Sequence, residues 1–311
     1  MTKQKRYPLT VITSAVIPWT EDYKMDERIF REEIKAMLER GLKHIYLFGT
    51  GGEGYAVTDE QYEEIVAIFA EEMKLTESYP MVGLISLSYN TIIKRIKIAI
   101  NYGIKDFLLA MPSWGALTDE EMRKFFVDVC GSFPDCRFLN YNLLRAKRLI
   151  TANEFEDLAK EIPNFVGAKF CSKDFFVVRD ISTNQSGLTF FVNEIAFIHG
   201  NWLGECGVLS AVGNCNIKRT LEFFNATMNG DIETSMKLSK ELAGVHKGLS
   251  ICCSKGKMDG AYDKLYAKLI NPEFPLRLLP PYTGFSDEEF ESFRLYIKNN
   301  YPEWLEPQSM Y

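Results

Sequence analysis

Histidine is scarce in this chain: His44, His199 and His246 are the three among 311 residues, and no two stand at the spacing of H-x-H or H-E-x-x-H. A zinc centre therefore has no support in the sequence. Cysteine pairs are missing too. The seven cysteines (130, 136, 171, 206, 215, 252, 253) are odd in number, scattered through apolar contexts and never spaced C-x-x-C, which reads as reduced thiols in a cytoplasm-like compartment. There is no basic excess, with 36 Lys plus Arg against 42 Asp plus Glu and a net charge of -6, so nucleic acid and anionic membrane are poor partners. No run reaches the ~20 apolar residues of a membrane span. The start, MTKQKRYPLTVITSAVIPWTED, is basic and then apolar, but Pro18, Glu21 and Asp22 follow at once; it reads as a first strand rather than a signal peptide. A G-x-S-x-G elbow and a P-loop are likewise absent.

What the chain does have is alternation. Short apolar runs near 9–17, 43–48, 80–86, 106–111, 137–141, 165–169, 188–192 and 206–211 each precede a segment of helical periodicity. Those helices are expected near 26–40, 58–74, 89–102, 118–132, 151–161, 173–184, 194–203 and 216–228. Thr58 with Gln61 and Thr118 with Glu121 have capping-box spacing, and Gly41 and Gly103 stand where helices should stop. Eight such pairs predict an α/β chain folded as a (β/α)8 TIM barrel over 1–228. Residues 229–311 carry only helical patterns, near 231–251, 257–269 and 287–299, and are expected to form a C-terminal helical region packed on the barrel.

In such barrels the chemistry lies at the C-terminal ends of the strands. The residues expected there are GTGGEG at 49–54, Tyr141 and Asn142, Lys169, and Asn193 with Glu194. GTGGEG matches G-x-G-x-x-G, yet Tyr55, Ala56 and Val57 intervene before the cap at Thr58, whereas a dinucleotide fingerprint needs its helix to open inside the glycines. A turn whose N–H groups, with the Thr50 hydroxyl, hold a small carboxylate is the better functional reading; a turn that only closes a loop is the plainer one.

Lys169 ends an apolar run, FVGAK. A lysine amine facing an apolar pocket can attack a carbonyl and form a Schiff base; the plain alternatives are a side chain that snorkels to the rim or pairs with Glu194. Lys173 is expected to begin the next helix and face water. Tyr141 is read either as packing or as a phenol relaying protons beside an imine.

Together, GTGGE at 49–53, YN at 141–142 and GAK at 167–169 resemble the motifs of the dihydrodipicolinate synthase and N-acetylneuraminate lyase superfamily of class I aldolases. The similarity runs from the first strand to PYTGFSDEE near 281–289. The resemblance implies that Lys169 is the Schiff-base lysine, Tyr141 the proton relay, Thr50 the hydroxyl bonded to that tyrosine, and Leu209 a backbone carbonyl lining the site. It implies no cofactor beyond a lysine imine, a 2-oxo acid such as pyruvate as substrate, and a homo-oligomer, dimer or tetramer.

The departures are specific. The family's second loop hydroxyl, which holds the keto-acid carboxylate, is Gly51 here, leaving the N–H groups of Gly51 and Gly52 as donors. The tyrosine that dihydrodipicolinate synthases extend into a neighbouring subunit is nearest Trp114, which cannot relay a proton as a phenol does. The proline and arginine that follow Y-N in those enzymes give way to LLRAKR, with Arg145 beside the arginine's own position at Ala146, and Val192 stands for a glycine. These changes argue against dihydrodipicolinate synthase itself. The expectation is a lyase that reversibly cleaves a carbon–carbon bond of pyruvate-type or sugar-derived 2-oxo acids, whose second half would meet Arg145, Trp114 and Asn193. A sugar-acid dehydratase using the same imine and a non-catalytic 2-oxo-acid-binding protein are the alternatives.

Overall fold

The structure, a computed structural model, describes residues 4–172 and 174–305; Lys173 lies outside the described residues. Eight strands form a closed parallel barrel in chain order: β1 (Val11–Ser14), β2 (His44–Leu47), β3 (Tyr79–Leu84), β4 (Asp106–Leu109), β5 (Arg137–Asn142), β6 (Phe165–Phe170), β7 (Thr189–Val192) and β8 (Cys206–Ser210). The helices between and after them are α1 (Glu27–Glu39), α2 (Asp59–Met73), α3 (Tyr89–Asn101), α4 (Asp119–Gly131), α5 (Ala152–Glu161), α6 (Phe175–Ser182), α7 (Glu194–Leu203) and α8 (Ile217–Met228). The chain is thus a (β/α)8 TIM barrel followed by α9 (Ile232–Cys252), α10 (Asp259–Ile270) and α11 (Asp287–Asn300). The capping boxes at Thr58 and Thr118 are both formed, each satisfying helix N–H groups that have no partner within the helix.

Alternation along the strands sorts the core into two layers. Phe107, Phe138 and Phe190 face the helices, while Ile12, Tyr46, Met81, Leu108, Leu139, Tyr141, Val166, Phe191 and Leu209 fill the barrel interior. One irregularity decides where the chemistry sits. Phe138 pairs with Phe165 but Leu139 pairs with Gly167, so Val166 is an extra residue in β6. Val166 points inward, and strict alternation from it would turn Lys169 to the outer wall. The bulge resets the phase, Ala168 and Phe170 pack outward, and Lys169 faces in beside its neighbour Tyr141. Gly167 is needed at that point, because a Cβ there would lie 2.1 Å from the Thr189 carbonyl oxygen.

The opposite end of the barrel is closed by a polar cluster. Tyr7 donates to Asp106 at 3.1 Å and lies 3.3 Å from His44 Nδ1, Arg137 grips Asp106 at 2.7 and 2.6 Å, and Tyr79 stacks on His44 at 4.5 Å. Burial, then the charges of Arg137 and Lys43, pull His44 down to about 4. Neutral in the fold yet protonated near pH 6.5 once unfolded, His44 contributes stability that is full above about pH 6.5 and is lost as pH falls through about 4. We expect wild type to lose roughly 2 kcal/mol more than His44→Phe between those pH values. Denaturant titrations of both proteins at each end of the window check this; equal losses would remove His44 from the acid response.

Candidate active site

Residues at the C-terminal ends of the strands converge. After β2 the backbone turns through two left-handed non-glycine residues, Phe48 (φ 61°) and Glu53 (φ 56°), a conformation that costs energy and persists only where the surroundings enforce it. The turn is closed by Gly54 N–H to Gly49 O and Glu53 N–H to Thr50 O, both 3.2 Å. Helix α2 opens only at Asp59, behind Thr58, so the glycines do not form the start of a helix.

Three of the expected residues meet directly. The Thr50 and Tyr141 hydroxyls are 3.1 Å apart and buried. The Lys169 ammonium stands 5.1 Å from the centroid of the Tyr141 ring, a cation–π arrangement, and Lys169 is half-buried. Leu209 is buried in the same interior cluster as Tyr141. Gly51 and Gly52 are buried in the turn; Gly52 backs so closely onto β1 that a Cβ would lie 2.9 Å from the Ala15 carbonyl oxygen.

Lys169 does not pair with Glu194. That carboxylate is buried and accepts from Ser210 Oγ at 2.7 Å and from the N–H groups of Ala211 and Val212 at 2.7 and 3.0 Å. It fastens the loop after β8, and among the described residues Lys169 has no ion-pair partner. Asn142, the other half of Y-N, is a loop clamp: its side chain donates to Ile150 O and accepts from Ile150 N–H, both at 2.9 Å.

The other expected contacts are peripheral. Arg145 is held by Asp259 of α10 through two bonds of 3.1 and 2.9 Å, half-exposed at the rim. Asn193 caps α7 by accepting from Ala196 N–H at 3.0 Å and donates to Cys171 Sγ at 3.3 Å. Trp114 is 89% exposed on the loop after β4. A groove of about 1280 Å³ lies elsewhere, lined by residues of α1 and α8 and by Ala267, Ile270 and Phe274.

The sequence reading missed Tyr46, Ser14, Asp263 and Lys264. Tyr46 is within hydrogen-bonding reach of Ser14 and Tyr141, and its phenol is held protonated well above the ordinary range by burial first, then by Tyr141 and Asp263 beside it. Lys264 donates to Glu53 at 2.7 Å, and Glu53 also accepts from Trp19 Nε1 at 2.8 Å and Leu279 N–H at 2.7 Å. A signal for Lys264 existed: it follows Gly260 and Ala261 by four and three positions and precedes Ala267 by three, which puts a charge on a small, apolar helix face. Among the described residues no group of three or more His, Cys, Asp or Glu could hold a metal ion, and no helix is long and apolar enough to cross a membrane.

A model of the dihydrodipicolinate synthetase family matches residues 8–297. An uncharacterised DapA-like lyase of Thermococcus kodakarensis is 24% identical over 289 residues, 91% of this chain and 97% of its own. Among solved structures, the E. coli K12 prophage protein YagE, in complex with pyruvate, superposes with a TM-score of 0.86 at 16% identity over 94% of this chain and 98% of its own. Proteus mirabilis N-acetylneuraminate lyase superposes with a TM-score of 0.81 at 17% identity, over 94% and 99%. The family match over nearly the whole chain identifies a lyase: the protein belongs to the dihydrodipicolinate synthetase family.

Proposed function

We propose that the protein is a Schiff-base-dependent lyase that makes or breaks a carbon–carbon bond in pyruvate or a related 2-oxo acid, of the kind derived from sugars, and that it is not dihydrodipicolinate synthase itself. The observation that carries this reading is the inward turn of Lys169 onto Tyr141, whose hydroxyl meets Thr50. The deprotonated Lys169 amine attacks C2 of the 2-oxo acid. Tyr141, with Thr50 bonded to it, carries a proton to the carbinolamine oxygen, which leaves as water and gives the iminium. In a 4-hydroxy-2-oxo acid the phenolate then takes the C4 hydroxyl proton, the C3–C4 electrons move toward the iminium, and an aldehyde departs. The resulting enamine is protonated at C3, and water releases pyruvate and the amine. The Gly51 and Gly52 N–H groups hold the substrate carboxylate, and the distal end of the substrate meets Arg145, Asn193 and Trp114 at the rim.

The exposed Trp114 supports a homo-oligomer in which a neighbouring subunit covers that loop, and seven cysteines free of disulfides support a cytoplasmic location. The test is incubation with a panel of 4-hydroxy-2-oxo sugar acids and mass analysis of the products. Cleavage gives pyruvate and an aldehyde. A single product lighter by one water would make the enzyme a dehydratase working through the same imine, and binding without turnover would make it a 2-oxo-acid-binding protein.

A further inference from the structure

Helix α10 brings a second buried side chain to the barrel mouth, one position before Lys264. Asp263 is 8% exposed, and its Oδ2 presses so hard on Gly51 that a Cβ there would lie 1.9 Å from it, with Ser14 Oγ at 3.5 Å. A side chain at 51 would therefore push the carboxyl out of its place. Glu53 and Glu194 each accept three or more hydrogen bonds, but among the described residues Asp263 accepts none and forms no ion pair. Its ionisable neighbours are Lys169 of β6, Glu194 of α7, Asp259 and Tyr266 of its own helix, Glu33 of α1 and Tyr46 of β2. Burial, then Asp259 and Glu194, push the carboxyl up to about 8 against the pull of Lys169. At neutral pH it carries a proton, no protein group among the described residues is bonded to it, and a ligand that supplies an acceptor would gain that bond.

We propose that Asp263, delivered by α10 against Gly51, is the side-chain donor that binds the C1 carboxylate of the substrate beside the Gly51 and Gly52 N–H groups. The inference rests on the 2-oxo-acid reading above. An O–H donor to a carboxylate forms a short, charge-assisted bond; an ionised Asp263 at the same place repels the ligand. Binding a 2-oxo acid at alkaline pH must then take up a proton.

The experiment is borohydride trapping with pyruvate, reading the half-saturating pyruvate concentration for the Lys169 adduct in wild type, Asp263→Asn and Asp263→Ala, from about pH 7 to about pH 10. Asp263 also acts on the Lys169 amine, so half-saturation by pyruvate is normalised in each protein to that by methyl pyruvate, which forms the imine but has no carboxylate, and the normalised ratio between proteins is the readout. Normalised half-saturation of wild type relative to Asp263→Asn should rise roughly tenfold per unit above about pH 8. At pH 7 the asparagine variant, which keeps a donor, should lie within a few-fold of wild type. Asp263→Ala should need at least about tenfold more pyruvate while reaching the same final adduct. Parallel pH profiles for wild type and Asp263→Asn would overturn the assignment even if the alanine variant does not fold. Absence of any adduct in wild type would instead bring down the 2-oxo-acid reading and this inference with it.

Discussion

Lys169→Met should abolish the covalent step and lower turnover of any 2-oxo acid substrate by at least roughly a thousandfold, while leaving the fold intact. Methionine matches the length of the lysine stem and keeps its packing against the Tyr141 ring, and Lys169 has no ion-pair partner among the described residues whose charge would be stranded. A melting temperature equal to or slightly above that of wild type is therefore expected. The two readouts together matter: loss of activity with retained melting assigns the loss to chemistry. A variant that kept more than a tenth of wild-type kcat would remove Lys169 from the mechanism.

Lys264→Met should have the largest effect on stability. Lys264 and Glu53 are both fully buried and 2.7 Å apart, and the Lys264 ammonium also donates to the Arg277 carbonyl oxygen. Burial lowers the lysine's affinity for its proton and the Glu53 charge opposes that. Removing the lysine leaves Glu53 as a buried carboxylate with only Trp19 Nε1 and the Leu279 N–H for compensation, which costs about 3–5 kcal/mol. Glu53 holds the left-handed end of the turn that carries Thr50, so activity should fall as well. Lys264→Met combined with Glu53→Met removes both charges and should destabilise by less than the sum of the single changes. Denaturant unfolding of the two single variants and the double variant measures this. Strict additivity would mean that the pair makes no coupled contribution.

The barrel was legible because each of its signals is local. Apolar runs of strand length end in glycine or in a capping residue, and Thr58 with Gln61 and Thr118 with Glu121 start helices where they predict. Lys169, Tyr141 and Thr50 could be named from three short motifs. The inward direction of Lys169 could not be read from alternation, because it depends on the extra residue at Val166, and a bulge is set by pairing with β5. Partnerships across the chain were equally hidden. Glu53 stands in a recognisable motif, but its partner Lys264 is 211 positions away, and Arg145 is occupied by Asp259 at a separation of 114. Asp263 escaped notice for the same reason: Gly51 looked like a lost side chain, and the group that fills its space comes from α10.

Reduction of the protein by borohydride in the presence of pyruvate, with intact mass and peptide mapping, tests the imine most directly. One added reduced pyruvate is expected on the peptide containing Lys169, and none in Lys169→Met. An unmodified protein, with pyruvate and with longer 2-oxo acids alike, would contradict it.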